Sequence, residues 1–251
     1  MSKIITTGGG GVTSCLGMRL YGAVTYFEEH GKFPDEIDSS EQFYFYKDEE
    51  NQNISKLILG EYSKPNEKLY TSFNPGWQFA WYDQIKLAEL SKLALQICPM
   101  SSAVGDKSYQ YQAILDGRTV CQYRGNDKCL DIPRTHPQGM IQMAIDSGSD
   151  KFLVQTDEQD FYDFFKERFP DTICIEEIPK IKKDPDSYVM PEIGKRADFC
   201  INFLAALRAI SQAPKIITNT GNTSLWMMLF RGHTDGVWQI QGQNQQWRKL
   251  N

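Results

Sequence analysis

The sequence predicts an α/β protein built on a parallel sheet with helices on both faces. Two observations carry this. From residue 119 onward, short apolar runs alternate with segments of helical period, at a spacing that suits strand–helix–strand crossovers. At the N-terminus, "KIITTGGGGVTSCLGMRLYGAVTYFEEHGKFPDEID" reads as strand, glycine loop, helix, loop and second short strand, again a βαβ-like unit. No internal repeat, heptad pattern or low-complexity tract competes with this reading.

The elements follow in order. Leu16, Leu20, Val24 and Phe27 recur at helical spacing, with Ser14 as the expected helix cap. Residues 41–115 are less regular: an aromatic then acidic stretch, the turn-rich "SFNPGWQFAWYDQIK", and a helix near 83–97. Residues 119–123 read as a buried strand that ends in the polar turn at Arg124. "HPQGMIQMAIDSG" is a helix, "KFLVQT" a strand, "DEQD" an acidic turn, "FYDFFKERF" a helix and "TICIEE" a short strand. A charged, proline-bearing loop (179–191) leads to the helix "ADFCINFLAALRAISQ", the strand "KIIT", the turn "NTGNTS" and the helix "LWMMLF". In such sheets ligands bind beyond the carboxyl ends of the strands. Arg124, the Thr156–Asp157–Glu158 turn and the Asn219–Ser224 turn all sit at strand carboxyl ends, so they are expected to converge on one crevice.

Composition narrows the function classes. With 251 residues, 27 Lys and Arg against 32 Asp and Glu, and a pI near 5.3, the chain argues against nucleic acid as a partner. No run approaches the ~18–20 apolar residues of a membrane span, and the first apolar run is too short for a secretory signal. A cytoplasmic location is therefore expected. The six cysteines lack CxxC spacing, several sit in apolar runs, and the three histidines are scattered, so reduced thiols and no zinc site are expected. Aromatic residues reach 12%, a content suited to a core and also to stacking of sugars or bases.

The strand ends carry the chemistry. A guanidinium beside a helix start suits a phosphate or diphosphate, because the fork binds oxygens in pairs and the helix adds N–H groups with partial positive charge. Arg124 could instead serve a structural ion pair with Asp127 or a neighbouring carboxylate. The glycine run 8–11, with Gly9 and Gly10 at its centre, could let backbone approach a phosphate or simply turn the chain; it is neither GxGxxG nor a Walker loop. "DPD" (184–186) matches a metal-binding DxD in form, but its setting reads as a solvated turn. Asp131 and His136 flank a proline after the arginine turn, as general bases or as a helix cap and a packed histidine. No nucleophile elbow supports a Ser-His-Asp triad. "SFNPGWQFAWYDQ" is an acceptor groove or core.

Three of these stretches resemble a known family. "VCQYRGNDKCLDIPRTHP" is similar to the segment of alpha-1,6- and protein O-fucosyltransferases that reads roughly HxRRxDK, followed a dozen residues after its first arginine by His-Pro; Arg124 falls on that arginine and His136–Pro137 on the His-Pro. "KFLVQTDEQDFYDFFKERFPD" looks like the family's "ATDD" strand end and helix, and "ISQAPKIITNTGNTSLWMM" resembles its "LSQADFLVCTFSS" strand and helix start. The blocks keep their order over residues 118 to 232.

The resemblance implies a GT-B-like fold of two Rossmann-like lobes: a reduced acceptor-side lobe over 1–115 and a nucleotide-sugar-binding lobe with a parallel sheet over 116–251. It implies an inverting glycosyltransferase that needs no essential metal or other cofactor, with GDP-fucose as first-choice donor and a glycan, glycoprotein or other hydroxyl as acceptor. Arg124 would bind the diphosphate and stabilise the leaving nucleotide. Gly9, Gly10, His136, Thr156, Asp157, Glu158, Gly221, Asn222, Thr223 and Ser224 would surround the donor. Asp131, one position from the family's glutamate base, would be the catalytic base. The chain departs from the pattern at Gln122 (family histidine), Gly125 (second arginine) and Ala206 (the aspartate near guanine). Those departures keep open a UDP-sugar such as UDP-xylose, or a non-catalytic carbohydrate- or nucleotide-binding module.

Overall fold

The computed structural model describes residues 1–125, 134–180 and 196–251. Asp127, Cys129, Asp131 and the Asp184–Asp186 stretch lie outside the described residues.

The chain opens with strand β1 (Lys3–Ile5), helix α1 (Val12–His30) and strand β2 (Glu36–Asp38), and β1 and β2 pair in parallel. A short α2 (Ile54–Ile58) precedes α3 (Leu87–Ile97) and α4 (Ser102–Leu115). The main unit then runs β3 (Thr119–Tyr123), α5 (Pro137–Asp146), β4 (Phe152–Thr156), α6 (Gln159–Arg168), α7 (Arg196–Ile210), β5 (Ile216–Asn219), α8 (Asn222–Arg231), β6 (Val237–Gln241) and β7 (Gln246–Lys249). Its five strands lie in the order β4-β3-β5-β6-β7, parallel except for β7, which returns antiparallel along β6.

The expected two-faced burial is present. Residues of β3, β4 and β5 are buried throughout, and their short apolar runs do not alternate with exposed positions. Val120, Leu153, Ile216 and Val237 face α1, α3, α4, α7 and α8, whereas Cys121, Tyr123, Phe152, Val154, Ile217 and Ile240 face α5 and α6. α8 is apolar nearly all round and buried from Thr223 to Phe230, as its "LWMMLF" core requires. The apolar cluster on the first face is continuous from Val12 to Leu250.

Four local expectations change. α1 starts at Val12 with Gly11 as its N-cap, so Ser14 lies inside the helix; the glycine loop brings the chain in extended at Gly11, and no side chain caps the end. "TICIEE" makes a single parallel bridge, Ile173 to Leu153, because the chain turns away at 176. Residues 102–115 form a full helix, whose Ser101 cap accepts the Val104 N–H at 3.3 Å. The C-terminal hairpin β6–β7 adds an antiparallel edge to the parallel sheet.

In the N-terminal half, Arg19 of α1 is buried. Its Nε donates to the Ile97 carbonyl at 2.8 Å, and its Nη1 donates to the Ile37 carbonyl at 3.1 Å and to Ser39 Oγ at 2.7 Å. Among the described residues no carboxylate pairs with it, and no helix is long and apolar enough to cross a membrane. The five described cysteines (15, 98, 121, 174 and 200) are free and buried, and burial pushes the Cys15 and Cys98 thiols up to about 12.

Candidate functional site

Strand register brings the predicted residues together. Tyr123 lies opposite Thr156 and Gln122 opposite Thr218, so Arg124, Asp157 and Asn219 meet at the carboxyl edge of three adjacent strands. The Arg124 N–H donates to Asn219 Oδ1 at 3.1 Å, and Asn219 Nδ2 donates to the Arg124 carbonyl at 2.9 Å. On the other side the Gly125 N–H donates to Asp157 Oδ1 at 3.1 Å. The Arg124 Nε sits 3.8 Å from Asp157 Oδ2, with side chains 33% and 24% exposed. The arginine is thus steadied by a carboxylate while a third of its side chain stays open to solvent.

One residue deeper, Gln155, Gln122, Thr218 and Gln239 stand in a single row across the four parallel strands, all buried. Gln122 Oε1 accepts from Thr218 Oγ1 at 2.7 Å and from Ser224 Oγ at 3.0 Å, and Ser224 Oγ also meets the Asn219 carbonyl. Ser224, expected at the donor, therefore spends its hydroxyl inside this network. Gln239 accepts the Tyr82 N–H at 3.1 Å and donates to the Ala80 carbonyl at 2.8 Å. Tyr82, fully buried, donates its hydroxyl to the Gly221 carbonyl at 3.3 Å. Burial raises the Tyr82 phenol well above its ordinary pKa, so it serves as a neutral strut. Within "WYDQ" Tyr82 is core and its neighbours brace the surface: Arg248 pairs with Asp83 at 2.7 Å and lies 4.5 Å over the Trp81 ring.

The start of α8 carries no side-chain cap at Gly221 and no acidic residue in its first turn, which leaves its N–H groups and positive dipole end available. Asn222 is half-buried there. Thr223 Oγ1 is buried, and among the described residues it has no hydrogen-bond partner.

Thr156 is buried and its hydroxyl accepts the Glu158 N–H at 3.1 Å, an inward use rather than an open donor. The Glu158 carboxylate pairs with Arg134 and its tip packs against Gly125, which stands where the resemblance has a second arginine. Arg134 also donates Nε to the Tyr123 hydroxyl at 3.1 Å. His136 caps α5: its Nδ1 accepts the Gln138 N–H at 3.2 Å, which leaves Nε2 to carry the proton of the neutral ring. A cavity of about 340 Å³ opens between the starts of α5 and α6, lined by Arg134, His136, Gln138, Glu158, Phe161 and Phe164.

Burial pushes the Tyr46 phenol up, and the Arg124 charge opposes that push. Gly10 is exposed with open space around it, whereas Gly9 (φ 97°) lies so close to α1 that a Cβ would stand 2.8 Å from the Cys15 Cα and N. Gly9→Ala is therefore expected to cost about 1–3 kcal/mol, because it combines a left-handed backbone with a backbone clash. A denaturant midpoint unchanged from wild type would contradict this.

Asp131 lies outside the described residues, so its distance from Arg124 is not part of this geometry. Among the described residues no cluster of three or more His, Cys, Asp or Glu is placed to hold a metal ion. Sequence reasoning did not single out Tyr82 or Arg134 and named Asn219 only as the start of a turn, although Tyr82 lies in the quoted "SFNPGWQFAWYDQ" and Arg134 in the same quoted motif as Arg124.

No family model matches the sequence, and no curated protein matches it. Solved structures do match the architecture. NodZ alpha-1,6-fucosyltransferase soaked with GDP-fucose aligns over 100% of this chain and 99% of its own, with a TM-score of 0.59 at 13% identity. The form co-crystallised with GDP gives 0.58 at 11% identity, covering 100% and 98%. Fucosyltransferase NodZ from Bradyrhizobium gives 0.55 at 12%, with the same coverage. The chain has a fucosyltransferase-like GT-B fold. On this fold Ala206 is a buried core residue of α7 and offers no polar group to a ligand.

Proposed function

We propose that this protein is a glycosyltransferase that moves a sugar, fucose as first choice, from a nucleotide-sugar donor to a hydroxyl of a glycan or glycoprotein. The observation that carries the reading is Arg124: an arginine whose side chain is one-third exposed at a strand carboxyl end, beside the uncapped start of α8, on a fold like that of NodZ structures obtained with GDP and GDP-fucose. Residues 116–251 act as the donor lobe and 1–115 as the acceptor side.

In this reading Arg124 grips the donor diphosphate, and the α8 N–H groups of Asn222 and Thr223 add to it. As the glycosidic bond breaks, negative charge grows on the leaving diphosphate, and pre-placed donors stabilise it without reorganisation. Asp157 and Glu158 line the pocket rim, with Gly221 at the turn and Gly9 and Gly10 opposite. Asp131 takes the acceptor proton, and in-line attack inverts the anomeric carbon. The guanidinium and helix end supply the charge neutralisation for which other transferases use a metal. The donor is a substrate, and no resident cofactor is invoked.

A second reading, a non-catalytic nucleotide- or carbohydrate-binding module, draws on the Arg124–Asp157 contact, which could be the arginine's whole purpose. Thermal stabilisation by GDP, UDP, CMP and their sugars, with and without magnesium, tests donor binding, and release of free nucleotide from a sugar donor that stabilises the chain separates transfer from binding alone. GDP or GDP-fucose at 100 times Kd is expected to add about 2.7 kcal/mol, raising Tm by roughly 5–10 °C. A shift with UDP or UDP-xylose alone would change the donor, in keeping with Ala206. No shift with any nucleotide would overturn the transferase reading in favour of the module.

A further inference from the structure

Arg124 stands one residue beyond the sheet, yet its backbone is fully held. β3 pairs with β5 only as far as Gln122 with Thr218, whereas β5 continues along β6 through Asn219 with Ile240, and the Thr220 N–H donates to the Ile240 carbonyl at 3.1 Å. β5 therefore veers away from β3 where Arg124 begins, and the backbone rung that would pair Arg124 is lost. The Asn219 carboxamide fills that place. It offers one acceptor and one donor in a plane, as a peptide does, and both are used: Oδ1 to the Arg124 N–H and Nδ2 to the Arg124 carbonyl. Asp157 does half of the same work on the β4 side through the Gly125 N–H. Asn219 is itself nearly fully buried, and its carbonyl is tied to Ser224 Oγ.

We infer that Asn219 is a positioning residue, a side-chain rung that extends the sheet by one step and sets where the Arg124 guanidinium meets the donor diphosphate. This rests on the reading of Arg124 given above. A carboxamide suits the role because aspartate would turn a carboxylate oxygen toward the Arg124 carbonyl, and serine or threonine cannot span both groups.

The test uses Asn219→Ala, Asn219→Asp, Arg124→Ala and the Arg124→Ala/Asn219→Ala double variant in the full chain. Two readouts are taken: GDP affinity by titration calorimetry and amide hydrogen exchange by NMR. Asn219→Ala is expected to weaken GDP about 10-fold or more, with Asn219→Asp at least as weak. Adding Asn219→Ala to Arg124→Ala should cause no further loss, since the rung acts through that side chain. Exchange at the Arg124 amide should accelerate about 10-fold in Asn219→Ala, while the Gln122 and Tyr123 amides keep wild-type rates. Losses that simply add in the double variant, or an unchanged Arg124 amide, would overturn the inference while leaving the proposed function in place. A wild-type chain that binds neither GDP nor UDP would overturn the function itself, and with it the role of Asn219 at a donor; the exchange data would still report whether the rung exists.

Discussion

Arg124→Ala is expected to lower sugar transfer by about 10²–10³-fold, with the fold intact. The size follows from what is removed: the bidentate donor aimed at charge that develops only as the donor bond breaks. The intact fold follows from where the residue sits. Its side chain is one-third exposed, and the hydrogen bonds that anchor this turn, from Asn219 and Asp157, go to backbone atoms of Arg124 and Gly125 that alanine keeps. The stability change should stay within about 0.5 kcal/mol, as for substitutions away from the core. Arg124→Lys should recover charge but not the paired geometry, and so restore only part of the rate. Release of GDP from GDP-fucose, measured beside the Tm of each variant, checks all of this. Turnover retained in Arg124→Ala at near wild-type level would sink the clamp and return Arg124 to the structural contact with Asp157.

The largest effect on stability is expected at Arg19, in the N-terminal half. Its guanidinium joins three parts of the N-terminal half: the end of α3 through the Ile97 carbonyl, β2 through the Ile37 carbonyl, and the following turn through Ser39. Ser39 Oγ in turn lies 2.7 Å from Thr6 Oγ1, Thr6 donates to Gln42 Oε1 at 2.8 Å, and Gln42 Nε2 donates to the Cys15 carbonyl at 3.0 Å. The network returns to α1, so every member depends on the others. Arg19→Ala strips the donor from two buried carbonyls, leaves Ser39 Oγ with Thr6 alone, and opens a cavity. Each orphaned buried group costs about 1–3 kcal/mol, so a total loss of about 3–5 kcal/mol is expected, a fall in Tm of roughly 10 °C or more. Arg19→Met separates packing from bonding, because it fills much of the volume and restores no donor. A methionine variant as stable as wild type would show that the buried charge is a burden the fold tolerates, as some buried ionic groups are.

Much of this protein is legible from short-range pattern. Short apolar runs mark β3, β4 and β5, and the helical spacing of Leu16, Leu20, Val24 and Phe27 marks α1. The strand-then-polar-turn order places Arg124, Asp157 and Asn219 on one edge of the sheet before any coordinates are known. The order of three blocks, around Arg124, Asp157 and Asn222, points to the same fucosyltransferase-like fold that the structure comparison finds. These features are set by side-chain alternation, propensity and local turns, all of which act over a few residues.

What only tertiary structure decides depends on chain path and register. That β5 leans toward β6 and leaves Arg124 to Asn219 cannot be read from "KIITNTG", because the choice belongs to a strand contributed after residue 236. Tyr82 bracing Gly221 joins residues 139 positions apart. Gln239 receiving Tyr82 and Arg19 reaching Ile97 are likewise long-range side-chain-to-backbone bonds with no periodic trace in sequence. Gly9 is a glycine for lack of room beside the Cys15 backbone, and that constraint exists only once the elements have packed. By itself the sequence therefore determined most of the alternating strands and helices from β3 to α8 and which side chains stand at their strand ends, whereas α4 and the β6–β7 hairpin came from the structure. Packing decided which of those side chains face the crevice and which, like Ser224 and Thr156, turn inward, because a buried polar group must take the nearest partner the fold brings to it.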